Sequence, residues 1–317
     1  MVVWMALLFL PLRVGGGGAE EAAHLVLLAP LVLVPLYLDA AVPFSFEARV
    51  PPLLGAASWL LLPGALAAAA AFLVPVGLVS GALALPWGLA TAAVAAWAAR
   101  RAWALWQGGA LGAAEAVLSA GLVSLPGGAV WLLFARAGLD PGPYGEVVVL
   151  LTAAHFHYAA FGAAVWSGLL GRSLAARPAG WRRLHAGLAV ALVAGFWLVA
   201  AGIARSGGPA GAAALETVGV VVLAVGAAGT GALGLVAAPG LSDRTGGLMV
   251  AISGGALALA VGLAVWFNVG PRLGVEAPDV VGMLGHHGWL GAVGFGLWGA
   301  LGWRRLRPRP AAVRVAG

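Results

Sequence analysis

The chain has 317 residues, of which 62% are hydrophobic and 9% charged, with a mean hydropathy of +1.01. Soluble domains carry about 25% charged residues, so a soluble fold is excluded and the chain reads as an integral membrane protein. Its net charge of +6 rests on Arg without Lys and reports topology rather than nucleic-acid binding; the lack of Cys excludes disulfides, thiolate metal sites and a cysteine nucleophile.

Met1 to Leu12 is apolar but short of the roughly 20 residues a crossing helix needs, and it lacks the basic start of a signal peptide. Residues 1–14 are read as a short or clipped first span. Gly15 to Gly18 breaks the chain, and Glu20 and Glu21 follow. Nine strong spans are predicted after that, at 22–40, 52–72, 75–99, 112–136, 146–170, 184–204, 213–237, 247–271 and 280–302. The run 52–99 is too long for one helix and is broken near Pro75. Pro30, Pro35 and Pro126 fall inside spans and predict kinks. The apolar runs are continuous, so the alternating strands of a β-barrel are excluded. The expected fold is an all-α polytopic bundle forming a single membrane domain over 1–317, with 303–317 as a basic tail.

Arginine sets the orientation. With the tail in the cytoplasm, 13 Arg fall on the cytoplasmic side and 4 (Arg13, Arg136, Arg205, Arg272) on the other. Most acidic residues sort the opposite way. The chain is therefore expected in the bacterial cytoplasmic membrane with its C-terminus inside.

The polar residues within spans concentrate toward the outer side. His155, His157 and Tyr158 interrupt the apolar run 147–170, and ionisable groups at this depth usually face a bundle interior or a wet cavity. At 1.5 Å per residue His155 lies roughly 14 Å from the outer end of its span, and His286 and His287 roughly 9–11 Å from theirs. Positions i and i+2 of a helix point about 200° apart, so His155 and His157 cannot share a face. Glu146 opens the histidine span, Glu216 opens another, and Asn268 sits near the outer end of a third. An outward polar pocket around His155 is expected, with His155 and His287 as its pair, and with His157 turned elsewhere, toward the Glu216 helix. The plain alternative is that each His bonds a local carbonyl or hydroxyl and only holds packing. His24 and His185, near span ends, are expected at the interface, as is Glu115. Trp4, Trp59, Trp87, Trp166, Trp181, Trp289 and Trp303 mostly fit interface belts or lipid-facing packing. The small-residue run Gly226–Gly234 reads as a helix-packing seam, not a phosphate loop.

Two stretches carry a resemblance. Val147 to Phe161, preceded by Glu146, resembles the central block of the YndJ-like membrane proteins, and His287-Gly-Trp-Leu-Gly-Ala-Val-Gly-Phe295 resembles their closing histidine-glycine block. The latter departs at Gly291, where Asn is expected, so a hydrogen-bonding group is missing. The resemblance implies a bacterial polytopic membrane protein, a family sometimes labelled transporters, and names no reaction. Locally, His155-Phe-His-Tyr158 is similar to the heme-copper oxidase helix whose two His bind two hemes, and His286-His287 to its copper pair, but the match covers only a few residues. Three readings follow. The first is a transporter with a site for a small solute or proton, drawn from His155, His157, Tyr158, His286, His287, Glu146, Glu216 and Asn268. The others are a heme- or copper-binding protein using the four deep His, and a structural or partner-binding protein. No nucleophile-base-orienter arrangement argues for an enzyme. The expected surroundings are the lipid bilayer, without nucleic acid.

Overall fold

The structure, a computed structural model, describes residues 1–16, 18–42, 52–142, 144–205 and 211–310. Among these residues it is a polytopic all-α bundle without strands. Helix α1, Val2–Leu7, has six residues. These rise only about 9 Å against a hydrocarbon core of about 30 Å, so residues 1–14 supply no crossing helix. Instead α1 folds onto the start of the next helix: Trp4 Nε1 donates to His24 O at 2.9 Å, and His24 Nε2 donates to Leu7 O at 3.2 Å.

Among the described residues eight helices are long and apolar enough to cross a membrane. They are α2 (Ala19–Ala41), α3 (Pro52–Ala71), α4 (Leu78–Gln107), α5 (Ala113–Ala137), α6 (Gly145–Ser173), α7 (Ala179–Ala204), α8 (Gly211–Ala237) and α9 (Arg244–Val269). The ninth expected span is α10, helical over 280–306, with its His pair and glycines diluting its apolar character. The break near Pro75 is a turn between α3 and α4, where Pro75 has no N–H to continue a helix.

Close approach through glycine builds the bundle. A Cβ on Gly195 of α7 would collide with Leu223 of α8, and one on Gly226 of α8 with Leu192 of α7. The run Gly226–Gly234 lies within α8 as a packing seam. Its Gly231 meets the carbonyl of Gly254 on α9, and its Gly234 meets the Trp166 ring on α6.

Three helices depart from α geometry. Wide π turns occupy Ala29–Leu33 in α2, Phe156–Ala163 in α6, and Leu284–Gly288 with Leu290–Leu297 in α10. Such turns leave carbonyls without their usual partners. The donors come from neighbouring helices: Ser253 Oγ to Phe295 O at 2.7 Å, and Tyr37 Oη to Gly296 O at 3.3 Å.

At the arginine-rich end, α4, α5 and α6 are tied together by buried charge. Arg172 places Nε and Nη2 on the two carboxylate oxygens of Glu115 at 2.6 and 3.0 Å, and Arg101 bonds the same carboxylate. Arg172 Nη1 also donates to Ala41 O at 2.7 Å, at the end of α2. Glu115 is thus paired and buried among helices, in the first turn of α5 at the arginine-rich end.

Several residues expected at the interfaces are buried among the helices. Trp87, Trp166 and Trp303 are among the largest fully buried side chains, while Trp59 is 83% exposed. His24 and His185 are buried, the latter donating from Nε2 to Ser167 O at 2.8 Å. For His24, His185 and Trp87 packing between helices supplies a hydrogen-bond partner, Trp87 Nε1 donating to His157 Nε2, whereas Trp166 and Trp303 are held by ring contacts with each other.

Candidate functional site

The π segments of α6 and α10 help line one cavity of about 320 Å³, walled by α2, α6, α7, α9 and α10. It lies toward the end of the bundle that carries Glu20, Glu21, Glu146 and Glu216. Most of its wall is apolar, including Leu25, Leu151, Phe267 and Met283; its polar groups are Thr152, His155, Tyr158 and His287. The expected polar pocket is therefore an apolar cavity with a few polar handles.

His155 and His287 stand together. Their rings are nearly parallel at 22°, with centroids 6.1 Å apart. His155 Nδ1 bonds Leu151 O at 2.7 Å, one helical turn back. His287 Nδ1 bonds Ala260 O at 2.8 Å, across to α9. A carbonyl can only accept, so in both rings Nδ1 carries the proton. Each neutral ring then keeps an acceptor lone pair on Nε2, and neither Nε2 has a hydrogen-bond partner among the described residues. His155 is exposed and His287 half-buried.

Tyr158 is fixed by its hydroxyl, which donates to Leu25 O at 2.8 Å. That carbonyl is available for a reason legible in the chain. The N–H of Ala29 bonds Val26 O, and the next residue, Pro30, has no N–H to offer.

The remaining predicted residues go elsewhere. His157 is 1% exposed and turns to α4, not to the Glu216 helix. Its Nδ1 donates to Ala153 O at 2.8 Å, and its Nε2 accepts from Trp87 Nε1 at 3.3 Å. Its ring stacks on Trp87 and faces Gly128, where a Cβ would collide with it. Both nitrogens are thus committed, and no lone pair is left for a metal. His286 is exposed and bonds Gly282 O of its own helix at 2.8 Å, so it does not join His287. Glu146 Oε2 accepts from Gly15 N at 2.9 Å, while its Oε1 is buried without a partner. Glu216 Oε1 accepts from Asn268 Nδ2 at 2.7 Å, and Asn268 Oδ1 accepts from Arg272 Nη1 at 2.9 Å. That chain staples α8 to α9 at the rim and does not line the cavity. Among the described residues no group of three or more His, Cys, Asp or Glu is arranged to hold a metal ion.

Sequence reasoning missed Trp87 and Thr152. Trp87 had a signal: it lies well inside α4, far from either end, where a belt residue is out of place. Gly291 lines the cavity, and a Cβ there would meet open space, so the missing Asn of the closing block leaves part of the volume empty.

No solved structure matches this chain. The "Uncharacterized membrane protein YndJ" of Bacillus subtilis (strain 168) is 28% identical over 244 residues, which is 76% of this chain. The chain spans 42% of that relative's length. A family model described as YndJ-like protein matches residues 24–295, from His24 through the cavity helices to Phe295. With the match extending over most of its length, this multi-pass membrane protein belongs to the YndJ-like family.

Proposed function

We propose that this protein binds a small, largely apolar solute with hydrogen-bond donors in the cavity between His155 and His287, as a step in moving it across the bacterial cytoplasmic membrane. The observation behind this reading is the pair of uncommitted Nε2 acceptors on the wall of an otherwise apolar cavity of about 320 Å³. Ligand sites of this kind are mostly apolar, with a few placed polar groups fixing orientation. The whole chain is read as one membrane domain with its arginine-rich end in the cytoplasm, which turns the cavity outward. Proton transfer alone is the weaker form, because no carboxylate lines the cavity.

The heme or copper alternative rests on the same two nitrogens. His157 is committed on both of its own, which leaves no pair of opposite-face ligands on α6. One experiment separates the readings. Protein purified from native membranes should carry small molecules, seen by mass spectrometry, that His155→Leu and His287→Leu protein retains roughly 3- to 10-fold less, the equivalent of one hydrogen bond. A Soret band or stoichiometric copper in the same samples would replace the solute by a cofactor. Identical extracts from wild type and both variants, with neither signal, would leave the cavity as packing alone.

A further inference from the structure

At the opposite, arginine-rich end a second cavity of about 230 Å³ lies between the ends of α4 and α6 and the starts of α5 and α7. Arg101, Arg172 and Arg182 line it, against one carboxylate, Glu115. Arg172 is spent on Glu115 and on Ala41 O. Arg101 reaches Glu115 through Nη2, but its Nη1 is buried with no partner. A buried guanidinium nitrogen without an acceptor is costly, and among the described residues none is supplied, which points to an added anion. Arg182 donates from Nη1 to Arg177 O at 2.9 Å and Ala175 O at 3.3 Å and, among the described residues, forms no ion pair. Three guanidinium charges against one carboxylate leave the cavity strongly positive. The start of α5 adds to this. Gly112 offers no side chain to cap the helix, and the N–H groups of Ala113 and Ala114, which also line the cavity, find no acceptor among the described residues. Free N–H groups at a helix start favour an anion.

We propose that this cavity is a phosphate-binding site. The planar, multiply donating guanidinium groups match the phosphate oxygens. A basic pocket between the ends of membrane helices is suited to the phosphate of an anionic lipid headgroup, and the same donors would take a soluble phosphate.

The test uses the full chain purified in detergent. In one arm it is incubated with equal amounts of phosphatidylglycerol and phosphatidylcholine, and retained lipid is read by native mass spectrometry. In the other, binding of radiolabelled inorganic phosphate is measured. The lipid form predicts preferential retention of phosphatidylglycerol, reduced about fivefold in Arg101→Gln and in Arg182→Gln, at about 1 kcal/mol per basic residue. The soluble form predicts saturable phosphate binding lost in the same variants. Arg183→Gln removes an equal charge from an exposed neighbour outside the lining and should change neither arm. Among the described residues the hydrogen bonds of Arg182 go to carbonyls, so its variant decides the matter even if Arg101→Gln fails to fold. No selectivity in either arm, or an equal loss in Arg183→Gln, overturns the proposal.

Discussion

His157 holds two helices against α6 with a single ring: it donates to Ala153 O, accepts from Trp87 Nε1 and packs on Gly128. His157→Ala leaves the buried Trp87 N–H unpaired and opens a void, each costing on the order of 1–3 kcal/mol. The variant should melt well below wild type in detergent, while His155→Ala, whose ring borders the cavity, should melt close to it. A similar loss for both would contradict the division of roles. Gly291→Asn is the complementary change. Open space at its Cβ lets it fold, and its amide narrows the cavity, so solute recovery should change while melting does not. The sequence already separates His155 from His157, because i and i+2 cannot share a helix face. What it does not reveal is which face meets which neighbour. That depends on the rotation of α6 in the bundle, which is set by glycines on several helices at once.

At the level of elements, the π turns convert chain composition into cross-helix bonds. Pro30 removes an N–H from α2, and Tyr158 on α6 bonds the carbonyl of Leu25. Tyr158→Phe should cost about 1 kcal/mol in the wild-type background. Restoring the backbone donor with Pro30→Ala should reduce that cost, so a double-mutant cycle should show coupling of about 0.5 kcal/mol or more. Strict additivity would mean that Pro30 does not set up this bond. Span positions are legible because apolar runs of membrane length persist across each helix. The π turns are not, since one extra residue per turn leaves composition and hydropathy unchanged. Helix starts are readable where a cap exists. Asp243 accepts from Thr245 N at 2.9 Å and Gly246 N at 3.2 Å to begin α9, and it pairs with Arg305. The Gly246 bond, then Arg305, hold its carboxyl below the ordinary value of 3.8. A lowered folded value means the contribution is complete above 3.8 and is lost as pH falls through the folded value. The melting difference between wild type and Asp243→Asn should therefore be largest near neutrality and shrink on acidification below about pH 4. A difference that is constant or grows would place the carboxylate's role elsewhere.

Across the whole molecule, the two cavities lie at opposite ends of the bundle, one beside acidic residues and one among arginines, so orientation decides which faces which compartment. The sequence expectation of 13 Arg against 4 depends on where the spans fall. The structure changes one input, since α1 is too short to cross. Within this sequence the first helix long enough to cross is then α2, and with the arginine-rich end placed in the cytoplasm the residues before it are expected outside. Arg49 and Arg314, both counted as cytoplasmic, lie outside the described residues, and the asymmetry holds without them. Removing α1 from the count leaves the assignment of the 172–183 loop and the end of α10 unchanged, because both are fixed relative to the arginine clusters rather than to residue 1. The chain has no Cys, so single cysteines report cleanly. A cysteine at Ser173, at the end of α6, and one at Ala311, outside the described residues, should both resist a membrane-impermeant maleimide in intact cells and react once the membrane is permeabilised. A cysteine at Glu276, in the connection between α9 and α10, should react in intact cells. The reverse pattern would turn the His155–His287 cavity toward the cytoplasm and the arginine cavity outward, away from the anionic inner leaflet. Labelling of Ser173 and Glu276 positions from the same side would instead deny that α7, α8 and α9 make three crossings between them.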